Sequence, residues 1–136
     1  MAMLLGAIIG IQRERQRKPA GLRTHILVAM GTALFVIAAI ESGMTSEGVS
    51  RVIQGLTTGI GFIGAGAILK VAQNGEIHGL TTAAGIWATA AVGVAMGLGL
   101  LGLAVLSVIL IWFVLAGLGY LENRLKPATD ADPQAR

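Results

Sequence analysis

Few side chains in this sequence can do chemistry, and most of those stand where apolar runs begin or end. Glu14 lies among five cations, Arg13, Arg15, Arg17, Lys18 and Arg23, in the stretch from Gln12 to Thr24. A carboxylate in that company forms ion pairs, with Lys18 at i, i+4 or with Arg23 across the bend of Pro19 to Gly21. A solvated pair of this kind contributes at most a fraction of about 1 kcal/mol. Arg23, Thr24 and His25 open the next apolar run. There Arg23 and His25 are expected to anchor a helix end at the headgroups, because long cationic side chains at such ends snorkel to the interface. Pro19 and Gly21 set the bend, and Arg23 is also a candidate for contact with a lipid phosphate. A metal site built on His25 and His78 would need a carboxylate from Glu14 or Glu76 to complete a ligand set; no metal or cofactor is expected.

The polar residues inside the apolar runs are Gln54, Thr57 and Thr58 in one and Thr81, Thr82 and Thr89 in another. Hydroxyls in such places mostly bond back to their own helix; the alternative is that Thr57 and Thr58 meet Thr81 and Thr82 across an interface between helices. No nucleophile elbow, P-loop or HExxH pattern is present, and the Ser and Thr residues have no adjacent base. The glycines of 55–66 are not a phosphate cradle, which needs a preceding strand and access to water. The expected protein is not an enzyme.

The elements that position these residues follow from composition. Of 136 residues, 54% are hydrophobic and 12% charged, and mean hydropathy is +0.77, whereas soluble domains carry about 25% charged residues. The net charge of +3 with only 4% aromatics lacks the stacking platforms that nucleic-acid binding uses. The cations instead flank apolar runs, as in a chain whose partner is a lipid bilayer. With no cysteine, disulfides, thiolate metal sites and cysteine nucleophiles are excluded. Residues 1–11 lack the basic start and cleavage site of a signal peptide.

A helix needs about 20 residues to cross a hydrocarbon core. His25–Ile40 and Val52–Leu69 come near that length, and no charge falls between Gly79 and Leu121. One helix over that last stretch would be roughly 64 Å long, so it must fold back, with Gly97-Leu98-Gly99 as the turn, into spans near Gly79–Met96 and Leu100–Leu121. Met1–Ile11 is too short to cross alone. It is either a tilted partial span or, the favoured reading, the end of a segment whose natural start is missing. The expectation is an all-α polytopic membrane bundle of four to five helices over 1–121, with a short disordered tail over 122–136. The 12–24 loop, the 70–78 loop and the tail hold nine of the ten Lys and Arg residues against Arg51 on the other side, which puts those three regions in the cytoplasm.

The third run carries Gly55-xxx-Gly59 with Gly61, Gly64 and Gly66, and the fourth is rich in Ala and Gly. In lipid, small residues let helix backbones approach, so spans three and four are expected to pack closely through Gly59 and its neighbours.

Three blocks in this order and spacing resemble the membrane domain of the MgtC/SapB family. Arg13-Glu14-Arg15 leads through Lys18-Pro19-Ala20-Gly21-Leu22-Arg23-Thr24-His25 into LVAMGTALF. GIGFIGAGAILK spans Gly59–Lys70. Gly79-Leu80-Thr81-Thr82-Ala83-Ala84 is followed by Trp87 and AAVGVAMGLG. The likeness runs from about Gly6 to Leu121. It implies a bacterial inner-membrane protein linked to growth under magnesium limitation and, in pathogens, to survival inside host cells. Its members are often labelled magnesium transporters, without an agreed activity. By the resemblance, the residues of interest are Glu14, Gly21, Arg23, Thr24, His25, Gly59, Gly61, Gly64, Gly66, Thr81, Thr82 and Trp87. Gln12 stands where many members have an acid, the apolar lead is shorter, and the chain ends at Arg136 without the soluble domain of larger members. Two functions compete. One is a non-enzymatic modulator that docks its glycine faces on another membrane complex or on a second copy. The other is a channel or carrier for Mg²⁺ or another cation. The spans hold no Asp or Glu, the residues that mark most ion pathways, which favours the modulator.

Overall fold

The computed structural model describes residues 1–69 and 78–118, and all regular structure among them is helical. Helix α1 is Ala2–Arg15, α2 Leu22–Glu41, α3 Ser46–Leu69, α4 Leu80–Gly97 and α5 Leu101–Phe113, the last continuing as a π-helical turn over Val114–Leu118. The 70–77 part of the third connection and the tail from 122 onward, including the disorder expected there, lie outside the described residues.

Local chemistry sets the ends. The helix of α1 runs on through Arg15, four residues into what the sequence suggested was a loop, since nothing between Ile11 and Arg15 breaks a helix. Its last turn is basic, which suits the negative end of the helix dipole. Helix α2 starts at Leu22, after Pro19 and Gly21. Its first N–H donates to Glu14 Oε2 at 2.9 Å, so a carboxylate from α1 caps a helix that has no side-chain cap of its own. Helix α3 begins at Ser46, earlier than the expected Val52. Thr45 Oγ1 accepts from Gly48 N at 3.3 Å, and Glu47 adds a negative charge to the first turn. The reversal between α4 and α5 falls where the glycines suggested, with Gly99 at φ 77°.

Helix α4 lies at the centre and packs on all four other helices, while α2 joins α1, α3 and α4. One apolar cluster gathers Leu5 and Ile9 of α1 with Val92, Ala95, Ala104 and Val108. A second gathers Ala20, Ile60, Ile86 and Ala90, and a third Val36, Ala39 and Val49. The closest approaches are made by glycines. A Cβ on Gly6 would come within 2.6 Å of the His25 carbonyl oxygen, and one on Gly10 within 2.7 Å of Leu22 Cα. On α4, a Cβ on Gly93 would overlap Thr32 Oγ1 and the Ala29 carbonyl, and one on Gly97 would sit 2.7 Å from Val36 Cβ. The tight contacts are therefore α1 on α2 and α2 on α4.

This corrects the expectation for α3. Positions 55, 59, 61 and 66 have nothing within 4 Å of an added Cβ, and only Gly64 reaches α4, with Ala83 Cβ at an ordinary 3.6 Å. Helices α3 and α4 do pack, through Ile60, Gly64 and Ala67 rather than Gly59. The glycine spacing signals a smooth face but does not say which way it turns.

The outer surface is apolar. Leu27, Leu34, Phe35 and Ile37 of α2 and Leu103, Leu106, Ile109 and Phe113 of α5 are exposed. Two helices, Leu22–Glu41 and Leu80–Gly97, are long and apolar enough to cross a membrane. A helix apolar around its whole circumference suits a hydrocarbon surrounding.

Candidate functional site

The buried face of α1 reads Leu5, Gly6, Ile9, Gly10, Arg13, alternating steps of one and three residues that carry a helix stripe into its last turn. Arg13 is the continuation of that stripe. Its side chain is drawn inward and the residue is only 2% exposed. Nη2 donates to Thr82 Oγ1 on α4 at 2.8 Å, across 69 residues of chain, and Nη1 reaches Gln16 Oε1 at 3.5 Å. Nε has no partner. No described carboxylate pairs with Arg13: the ion pair found is Arg51 with Glu47, and Glu14 accepts from Leu22 N.

His25, in the first turn of α2, is fully buried beside this group. Its Nδ1 lies 2.9 Å from the Gly21 carbonyl oxygen. A carbonyl only accepts, so Nδ1 carries the proton and Nε2 of the neutral ring presents a lone pair. Nε2 is unpartnered and faces α4, where a Cβ on Gly85 would stand 3.7 Å away. Arg13 and His25 thus converge on the turn of α4 from Thr82 to Gly85. Gln12 adds a buried amide with both polar atoms unpartnered. Polar groups left unpaired in a low-dielectric interior cost more than they would in water, and a buried guanidinium with only neutral partners is the costliest of them.

Of the residues singled out in the sequence, the structure joins Glu14, Gly21, His25 and Thr82 to this end of the bundle. Glu14 pairs with neither Lys18 nor Arg23; its carboxylate accepts from the Leu22 N–H at the start of α2 instead. A Cβ on Gly21 would overlap that carboxylate, so glycine here makes room for the cap. His25 is not at an interface but inside, because its ring bonds to the backbone one turn earlier. Arg23 is exposed and Thr24 half-buried. Thr81 is exposed, and Trp87 is 54% exposed in a shallow groove against Ile53, Thr57 and Ile60 of α3. Thr57 and Thr58 bond to the carbonyls of Ile53 and Gln54 and Thr89 to that of Gly85, each within its own helix. They do not meet Thr81 or Thr82.

Arg13 was read from the sequence as part of a solvated loop. The signal that places it inside is the i, i+4, i+7 run of Gly6, Gly10 and Arg13, which only a helix through Arg15 brings onto one face. Among the described residues no group of three or more His, Cys, Asp or Glu could hold a metal ion. What the site can do is hold a positive charge between three helices, α1, α2 and α4.

A second feature is a groove of about 600 Å³ between α2 and α3. Gly31 forms part of one wall, Gly55 and Gly59 part of the other, with Leu27, Phe35 and Ile63 around them. All three glycines are open to space.

A small all-helical bundle with an apolar exterior and a buried arginine defines the class. A family model of the MgtC family matches residues 1–124, and the chain belongs to that family. It is 44% identical to Protein SrpB of Synechococcus elongatus over 134 residues, covering 90% of this chain and 74% of SrpB. It is 45% identical to Protein MgtC of Salmonella typhimurium over 98 residues, or 72% of this chain and 41% of that protein. Protein MgtC of Brucella abortus is 45% identical over 111 residues, 81% of this chain and 45% of its own length. The chain thus spans less than half of the MgtC relatives it matches. No solved structure matches it.

Proposed function

We propose that this chain is a bundle of four to five membrane-spanning helices in the bacterial cytoplasmic membrane. In this reading it acts without catalysis, by docking on another integral membrane protein whose activity it adjusts when magnesium is scarce. The observation that carries the reading is the open glycine face of α3. Positions 55 and 59 meet nothing within 4 Å and line a groove with Gly31 opposite, and a partner helix can approach such a surface to backbone distance. Length supports the spans: α3 has 24 residues, roughly 36 Å. The magnesium link comes from the family resemblance.

The runner-up is transport of Mg²⁺ or another cation. Magnesium is held through carboxylates and waters, whereas the charged side chain buried among the described residues is Arg13, which repels cations. Purified protein in liposomes is therefore expected to give no Mg²⁺ flux above empty vesicles. Gly59→Leu, which fills the groove without a clash inside the chain, is expected to keep parental abundance and melting temperature while losing growth on limiting magnesium. Saturable uptake abolished by changing Thr57 or Thr81 would establish the transporter instead.

The cations around the α1–α2 turn support an orientation with that turn in the cytoplasm. Cysteine substitutions Gln16→Cys and Ser46→Cys in intact cells check it: an impermeant thiol reagent should modify the second and spare the first, and the opposite pattern reverses the topology.

A further inference from the structure

Helix α3 packs on α4 through Ile60, Gly64 and Ala67. On its far side Glu47, Arg51, Gln54, Thr58, Gly61 and Ala65 are all exposed. Alternating steps of four and three residues hold these six in one stripe along the helix. The polar part of that stripe does not suit a face turned to hydrocarbon. Gln54 lies roughly 12 Å along the axis from the start of α3 at Ser46, inside a hydrocarbon core of about 30 Å. Its side-chain amide has no hydrogen-bond partner among the described residues. Amide donors and an acceptor left bare at that depth are costly, and a neighbouring helix is where such groups find partners. Thr58, one turn further, donates to the Gln54 backbone carbonyl at 3.1 Å and keeps its oxygen free to accept.

We propose that this stripe joins two copies of the chain, α3 against α3. An amide holds donor and acceptor together, so a second amide facing it completes both: each Gln54 Nε2 donates to the Oε1 of the other. Copies inserted with one topology are related by a two-fold axis along the membrane normal. The two α3 helices then run parallel, and identical positions meet at the axis. A Cβ on Gly61 would meet nothing within 4 Å, and with Ala65 this small position lets the two backbones close. Toward the start of α3, Glu47 and Arg51 pair within one copy at 2.6 Å and stay exposed. Each copy thus presents both signs there, and the same two residues can pair across the axis. A different membrane protein would have to bring a matching amide to the same depth; a second copy brings it by symmetry. The groove lined by Gly31, Gly55 and Gly59 opens toward α2, on another side of α3, and stays free in the pair. The proposal rests on the reading of the chain as a membrane bundle, and not on what the groove receives.

The test uses the full chain, which has no cysteine of its own, in vesicles of phosphatidylcholine and phosphatidylglycerol. Copies carrying a donor or an acceptor dye at Gln16→Cys are mixed, and energy transfer is followed as lipid dilutes the protein. Transfer is expected to fall along a monomer–dimer curve. Gln54→Leu should move that curve to about ten-fold higher protein, the scale of polar contacts between helices in lipid. Gln54→Asn, which keeps an amide, should move it less, and Leu106→Ala on the exposed face of α5 should not move it. In membranes treated with oxidant, Ala65→Cys should form a disulfide-linked dimer, while Ile63→Cys and Leu106→Cys stay monomeric. Several results would overturn the pair. Transfer no greater than that of randomly placed copies means a monomer. Parental association of Gln54→Leu, or an equal loss in Gln54→Asn, means that the amide does not join the copies. Equal disulfide yield at all three positions means chance collision. A chain that stays monodisperse without detergent would instead defeat the membrane reading. The pair is measured in purified protein alone, so it stands or falls apart from the growth effect expected of Gly59→Leu.

Discussion

Replacing Gly93 by leucine is expected to lower the stability of the bundle by roughly 3 kcal/mol or more, the upper range of overpacking costs. Even the first carbon of the new side chain would overlap Thr32 Oγ1 and the Ala29 carbonyl. The Thr32 hydroxyl can turn aside only by giving up its bonds to the carbonyls of Val28 and Ala29, at 2.8 and 3.2 Å. The backbone oxygen of Ala29 cannot turn at all, so α2 and α4 must separate. Because α4 touches every other helix, separation there loosens the whole structure. Unfolding in a fixed detergent, followed by helical circular dichroism, measures the loss. Gly59→Leu in the same assay is the internal comparison and should stay within about 0.5 kcal/mol of the parent, as surface substitutions do. Equal losses at the two positions would mean that α3 packs as tightly as α4 and that the groove between α2 and α3 does not exist in the folded protein.

The second large effect concerns the buried arginine. Thr82→Val removes the hydroxyl that accepts from Arg13 Nη2 and keeps the side-chain shape. A buried charged donor then loses its best partner, at a cost of about 1.5–3 kcal/mol. Arg13→Met removes the charge and is expected to be neutral or stabilising, as when other buried charges give way to apolar residues of similar volume. In the Arg13→Met background, Thr82→Val should cost almost nothing, because the group left stranded is gone. The coupling from this double-mutant cycle is thus expected to be nearly the whole cost of the single Thr82 change. Additive effects would show that the bond between α1 and α4 contributes nothing. If Arg13→Met folds well yet fails to support growth at low magnesium, the buried charge is kept for function and not for stability.

Much of the architecture was legible along the chain. Apolar runs, glycine turns and a basic stretch between the first two runs led to an all-helical bundle and to the reversal at Gly97–Gly99, while the family came from the resemblance of three sequence blocks. These features are local: each reflects the length of a helix, the conformations open to glycine or the sign of charge at a helix end. Helix boundaries were less exact where a cap came from elsewhere. The start of α2 depends on Glu14, eight residues earlier, and a linear reading naturally assigned that carboxylate to the nearest cations.

What the sequence by itself determined about this protein is its solvent-driven character: helices, apolar surfaces, and cations gathered in the stretch from Arg13 to Arg23. What only the tertiary structure decided is which way each helix turns. Glycines on α1 and α4 face inward and let backbones meet, while a denser glycine row on α3 faces out and leaves a groove. Arg13 and Arg15 are two positions apart, yet one is buried against Thr82 and the other exposed. The physical reason is that a helix apolar on all sides has no sequence-encoded inside, so its rotation is set by close contacts between helices far apart in the chain.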